Sequence, residues 1–307
     1  MTPIADLRLA ILAGKGGVGR TTVAAALARA VAAQGRRVLI AQTEAAQRLG
    51  KLFGRAEPVG PDIVTLAPGI DAVNMTPKNA LHEYGLMVLR YETVYRALFE
   101  NRAVRGFLGA IPGLDAYAML GKVWWHTTET VRGRPRYDLT ILDGPASGHA
   151  TLMLRLPQAV LSAMPRGPMA RDAQAAYDLL TDPVRTAMVI VTLPEELPVR
   201  ETVELAQNAR EILKIPLGPV VVNAMPTGAL STPALDAVVG PLRIPTGDPD
   251  LDATLAMAAR ARAHRQTADD MLARLKANPG LPMLLLPRVP TADLGPEHVE
   301  QLAGLLR

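Results

Sequence analysis

Nine residues, Gly14-Lys15-Gly16-Gly17-Val18-Gly19-Arg20-Thr21-Thr22, constrain this chain more than any others. An apolar run of strand length, residues 7–13, leads into them. From residue 23 to 33 the composition turns to Ala and Leu, which favour helix, and Gly35 closes that stretch. A second strand-like run follows at 37–41. Strand, glycine loop, helix and strand in so short a span is a βαβ unit, which implies a parallel sheet. Glycines at 14, 16, 17 and 19 let backbone N–H groups converge on an anion without obstruction by Cβ. The helix start behind them adds partial positive charge and free donors, so the segment reads as a phosphate-binding loop. Thr21 stands where the hydroxyl of such a loop ligates Mg²⁺, and Thr22 is placed to reach an α-phosphate.

Further strands are expected at 62–66, 71–75, 139–142, 187–192, 219–223 and 283–286, with helical patterns between most of them. Such near-continuous apolar strands are those of a sheet covered by helices on both faces. The expected architecture is therefore α/β, a doubly wound, mostly parallel sheet with a helical subdomain. The whole chain, 1–307, is read as one domain with helical insertions at about 76–133 and 152–185. In the first, Leu81, Tyr84, Val88, Tyr91, Tyr95 and Leu98 recur in steps of three and four, one face of an amphipathic helix. A Gly/Pro-broken stretch (106–113) and a helical run (116–125) come next. In the second, a helical stretch at 152–180 is interrupted by Pro157, Pro165 and Pro168. Both insertions fit either a helical layer on the sheet or a surface for a protein partner. Gly60-Pro61 and residues 245–252 read as turns.

Composition excludes other classes. With 49% hydrophobic and 20% charged residues the chain is not intrinsically disordered. It contains 0 cysteines, which removes disulfides, zinc ribbons, iron–sulfur clusters and thiol nucleophiles together. Mean hydropathy is +0.15, yet no run approaches the roughly 20 apolar residues of a membrane span. The start of the chain, with Asp6 early and its apolar run entering the glycine loop, does not read as a signal peptide. A cytoplasmic protein is expected. The net charge of +4 is spread along the chain, so no nucleic-acid partner is expected.

The loop resembles the deviant Walker A loop of the SIMIBI-class ATPases, the superfamily of MinD, ParA, nitrogenase iron protein and the arsenite-pump/guided-entry (ArsA/GET) ATPases. That resemblance implies ATP and Mg²⁺ as cofactors and a nucleotide sandwich dimer, in which Lys15 reaches the partner's phosphates. The segment 137–149 narrows the branch. Its strand delivers Asp143 to the carboxyl edge of the sheet, where α/β ligand sites lie and where it can hold Mg²⁺ through a water beside Thr21. Gly144-Pro145-Ala146-Ser147-Gly148-His149, followed by Leu154-Arg155-Leu156-Pro157, is similar to the ArsA/GET switch motif. His149 is either a packed, hydrogen-bonded histidine or a nucleotide sensor. Residues 191–202 (V-T-L-P-E-E-L-P-V-R-E-T) and 220–223 (V-V-V-N) also resemble that branch. Asn223 carries an amide donor and acceptor suited to adenine, with turn capping as the alternative. Pro287 and Arg288 fall where the family's adenine loop sits.

Departures matter as much. Arg20 replaces the loop's second lysine, keeping the charge in a longer, planar group. Thr43-Glu44-Ala45-Ala46-Gln47 is a degraded form of the family's T-D-P-A-H stretch. There Glu44 either orients the attacking water or is a remnant. Without cysteine, neither arsenite binding through thiolates nor a zinc clasp at the dimer can operate. The expectation is a slowly hydrolysing, Mg²⁺-dependent ArsA/GET-like ATPase, homodimeric or paired with a paralogue, that serves a protein client. The alternatives are a hydrolysis-weak regulatory subunit and a MinD/ParA-like positioning ATPase. Met119, Trp124, Trp125, Met153 and Met164 line a client trough in this reading, or belong to the core.

Overall fold

The computed structural model describes residues 2–43, 48–77, 79–80, 113–227, 233, 237, 246–291 and 293–306. In chain order the strands are β1 (Leu9–Ala13), β2 (Val38–Thr43), β3 (Val64–Ala67), β4 (Ile70–Met75), β5 (Thr130–Val131), β6 (Arg134–Pro135), β7 (Leu139–Asp143), β8 (Thr186–Thr192), β9 (Leu217–Met225) and β10 (Met283–Pro287). The helices are α1 (Arg20–Ala32), α2 (Leu49–Leu52), α3 (Leu114–Thr128), α4 (Ser147–Ala163), α5 (Pro168–Thr181), α6 (Glu196–Asn208), α7 (Pro249–Ala277) and α8 (Pro296–Gly304). Each expected strand is present within a few residues. The amphipathic stripe from Leu81 to Leu98 and most of the first insertion lie outside the described residues, as does Glu44.

One eight-stranded sheet runs in the order β10-β9-β8-β1-β7-β2-β4-β3. All its pairs are parallel except β3–β4, which turns back at the edge. β1, β2, β7 and β8 are buried along their whole length, as expected for strands covered on both sides. Alternation assigns the faces. Leu12, Ile40, Ile141 and Val189 pack with α1 and α8, whose Val299 and Leu302 are core residues. Ile11, Leu39, Leu142 and Ile190 pack with α3, α4, α5 and α6.

Three elements depart from the sequence reading. β5 and β6 form a small hairpin through Arg132 and Gly133, both at positive φ. An arginine at the first of those turn positions hides the pattern usually seen there. Residues 249–252, read as part of a turn, are the first turn of α7. The Asp248 carboxylate accepts from the N–H groups of Asp250 and Leu251 there, and Pro249 sits where its missing N–H costs nothing. α7 buries only Leu255, Ala268 and Leu275, so it carries little apolar periodicity to detect. Pro157 lies inside α4 rather than ending it. Of the trough candidates, Met119 and Met153 are core residues and Trp124 packs partly against them. Trp125 and Met164 are exposed.

Candidate functional site

β1 ends at the glycine loop, and α1 begins directly behind it. The loop approaches its neighbours so closely that two positions require glycine. A Cβ on Gly14 would stand 2.2 Å from the Val191 carbonyl oxygen, and one on Gly19 would stand 2.3 Å from Asn223 Nδ2. Both also have positive φ. A Cβ on Gly16 or Gly17 would meet open space, although Gly17 shares the positive φ. Val18 is buried and anchors the loop. Its carbonyl accepts from Asn223 Nδ2 at 2.9 Å, so the end of β9 is tied to the loop.

Thr21, one residue into α1, donates its hydroxyl to Asp143 Oδ2 at 2.7 Å. Gln42, near the end of β2, donates its amide to the same oxygen at 2.8 Å. Asp143 and Gln42 are both buried, and strand register places them side by side. Arg20 Nη1 donates to the Gly14 carbonyl at 3.2 Å and also to the Pro145 carbonyl, joining the glycine loop to the segment after Asp143. Burial lowers the Arg20 guanidinium from its ordinary pKa, and the Asp143 charge opposes that shift. An arginine remains charged throughout the physiological range even so. Lys15 Nζ lies 2.7 Å from Glu201 Oε1 of α6, both side chains partly exposed. His149 is exposed on the first turn of α4, which corrects the packed-histidine alternative.

A cavity of about 680 Å³ opens from the loop toward β9, β10 and α7. Gly17, Val18, Gly19 and Thr22 of the loop and α1 line it together with Asn223, Pro287 and Arg288. Those three sequence candidates are therefore brought to one cavity. Leu193, Pro194, Val289, Leu294 and Leu302 supply apolar wall. Arg48, His264, Thr267 and Thr291 also line it, and nothing in their local sequence marks them. Gln42 was missed as well, although it carried a readable signal. It follows Val38 and Ile40 on the inward face of an otherwise apolar strand.

Residues 7–171, just over half of the chain, match the family described as anion-transporting ATPase. The chain belongs to that ATPase family. It is 30% identical to the ATPase BagA of Mycobacterium tuberculosis over 226 residues, 72% of this chain and 66% of that protein. It is 28% identical to an arsenical pump-driving ATPase of Escherichia coli over 204 residues, 61% of this chain but 34% of the pump protein. It is 26% identical to the ATPase GET3 of Kluyveromyces lactis over 237 residues, 66% of this chain and 67% of that protein. The chain thus spans about two thirds of BagA and GET3 and about a third of the arsenical pump protein.

The divalent ion that such ATPases imply suits the donors present. Thr21 and Asp143 offer hard oxygen atoms at the head of α1, and Mg²⁺ is held by few protein ligands with phosphate and water. Among the described residues no group of three or more His, Cys, Asp or Glu side chains forms a protein cage for a metal. Among them, too, no helix is long and apolar enough to cross a membrane.

Proposed function

We propose that the chain binds ATP with Mg²⁺ and hydrolyses it slowly, working as a dimer whose closure changes a helical surface for a protein client. The single observation that carries this reading is a glycine loop whose Gly17, Val18 and Gly19 line a cavity, followed directly by Thr21, which is hydrogen-bonded to Asp143. Backbone N–H groups of the loop and the start of α1 bind phosphate. Thr21 and Asp143 would hold Mg²⁺, Asp143 through a water, and the ion would supply positive charge against the phosphates. Asn223 fits the adenine edge with its remaining amide donor and carbonyl oxygen, and Pro287 and Arg288 flank the base. Glu44 orients the attacking water. Lys15 leaves Glu201 to reach the phosphates bound by the other subunit, a homodimer partner or a paralogue.

Isothermal titration of purified protein tests the core of this proposal. ATP binding that strengthens with Mg²⁺ is expected, followed by slow phosphate release; no heat of binding in either condition overturns it. A second reading, a subunit that holds nucleotide with little hydrolysis, draws on Arg20. Its guanidinium is engaged by two carbonyls rather than facing the open cradle.

A further inference from the structure

Gln42 belongs to none of the motifs that resemble the family, and its position is costly. β2 is buried from end to end, and Val38 and Ile40 point into the core beneath α1. Gln42 is the next residue on that face and is 1% exposed. A primary amide there is unfavourable unless its polar atoms are bonded. Its Nε2 meets Asp143 Oδ2, which already accepts from Thr21, so one carboxylate oxygen receives two donors. Arg20 is close enough for the Asp143 charge to act on it. Yet the guanidinium donates to the Gly14 and Pro145 carbonyls, and no ion pair joins it to Asp143.

That separation needs a cause, because guanidinium and carboxylate pair readily through two parallel hydrogen bonds. An ammonium at position 20 would compete less for this geometry. We propose that Gln42 is a positioning residue that pins the Asp143 carboxylate to Thr21 and prevents its capture by Arg20. Asp143 then remains available for the Mg²⁺ water shell, while Arg20 stays on the Gly14 and Pro145 carbonyls. The inference rests on the reading of this site as one for Mg²⁺-nucleotide, and Gln42 compensates for the arginine in the loop.

The test compares nucleotide affinity with and without Mg²⁺, using ATP in titration calorimetry, for wild type, Gln42→Met and Gln42→Glu. Methionine keeps the length and volume of glutamine; glutamate keeps its shape and reverses the interaction with Asp143. Loss of a group that orients a metal ligand typically weakens metal affinity by about 10- to 100-fold. The gain in ATP affinity on adding Mg²⁺ should therefore shrink at least about tenfold in both variants, while Mg²⁺-free affinity changes little. Replacing Arg20 by Lys in the Gln42→Met background should restore part of that gain, a rescue that a purely structural role would not produce. An undiminished Mg²⁺ gain in a folded variant overturns the inference and leaves the nucleotide reading intact. A wild type that binds no ATP overturns both. Should neither variant fold, NMR of the wild-type Gln42 side-chain amide decides. Protection from exchange and a shift on adding Mg²⁺ to the ATP complex support the role, and an amide that shows neither overturns it.

Discussion

A guanidinium at position 20 brings five donors to the glycine loop where an ammonium would bring three. The extra donors let Arg20 hold backbone on two sides of the site, at Gly14 and at Pro145. Holding is not the same as stabilising transferred phosphate, and displacement of a catalytic group by about 1 Å can lower a rate by about 10²-fold. The double replacement Arg20→Lys and Glu44→Asp should accordingly raise ATP turnover, by about tenfold or more, in a steady-state phosphate-release assay. No gain would show that these two departures do not limit hydrolysis. Lys15 makes a contrasting case. Its ion pair with Glu201 is partly solvated, and pairs of that kind contribute roughly 0–1 kcal/mol. Lys15→Ala should leave the thermal midpoint within a few degrees of wild type.

At the scale of elements, the wall of the cavity depends on α8. Leu302 is 2% exposed in the core beneath α1 and also lines the cavity. Leu302→Ala should destabilise the fold by about 2–5 kcal/mol in denaturant unfolding, and weaken ATP binding alongside. The opposite end of the sheet carries its own polar tie. The Tyr137 hydroxyl donates to Asp71 Oδ2 at 2.9 Å, and Thr65 donates to Asp71 Oδ1 at 2.7 Å, linking β3 and β4 to the start of β7. Burial, with the neighbouring Asp71 adding to it, pushes the Tyr137 hydroxyl up to about 12. An unfolded tyrosine titrates near about 10, so the folded state holds this proton more tightly. The resulting stability is complete below about pH 10 and disappears as pH rises through about 12. Denaturation midpoints measured across that window should fall more steeply for wild type than for Tyr137→Phe.

At the scale of the whole molecule, the glycine loop, Lys15 and the segment after Asp143 all meet at the carboxyl edge of the sheet. On the proposed reading, a second subunit that faces this edge brings its own Lys15 to phosphates bound at the loop. Light scattering should then show ATP and Mg²⁺ shifting wild type toward dimer, or toward a heterodimer when a paralogue is supplied. Lys15→Ala should lose that shift while remaining folded, and an unchanged shift would remove Lys15 from the interface.

What the chain's order alone determined is everything carried by near neighbours. The strand–loop–helix of residues 9–32, the glycine cradle and the apolar strands are local, because steric limits and side-chain periodicity act over a few residues. Thr21 and Asp143 were legible for the same reason, each marked by its place at the end or start of an element. Only the tertiary structure decided which distant groups touch. Gln42 on Asp143, Lys15 on Glu201, and His264 and Thr267 in the cavity that the glycine loop also lines follow from the strand order and from where α6 and α7 lie. α7 itself escaped notice because a helix with three buried residues leaves almost no hydrophobic rhythm. Sheet order is set by the burial of whole faces against one another, a free energy summed over many residues, and no short stretch of sequence contains that sum.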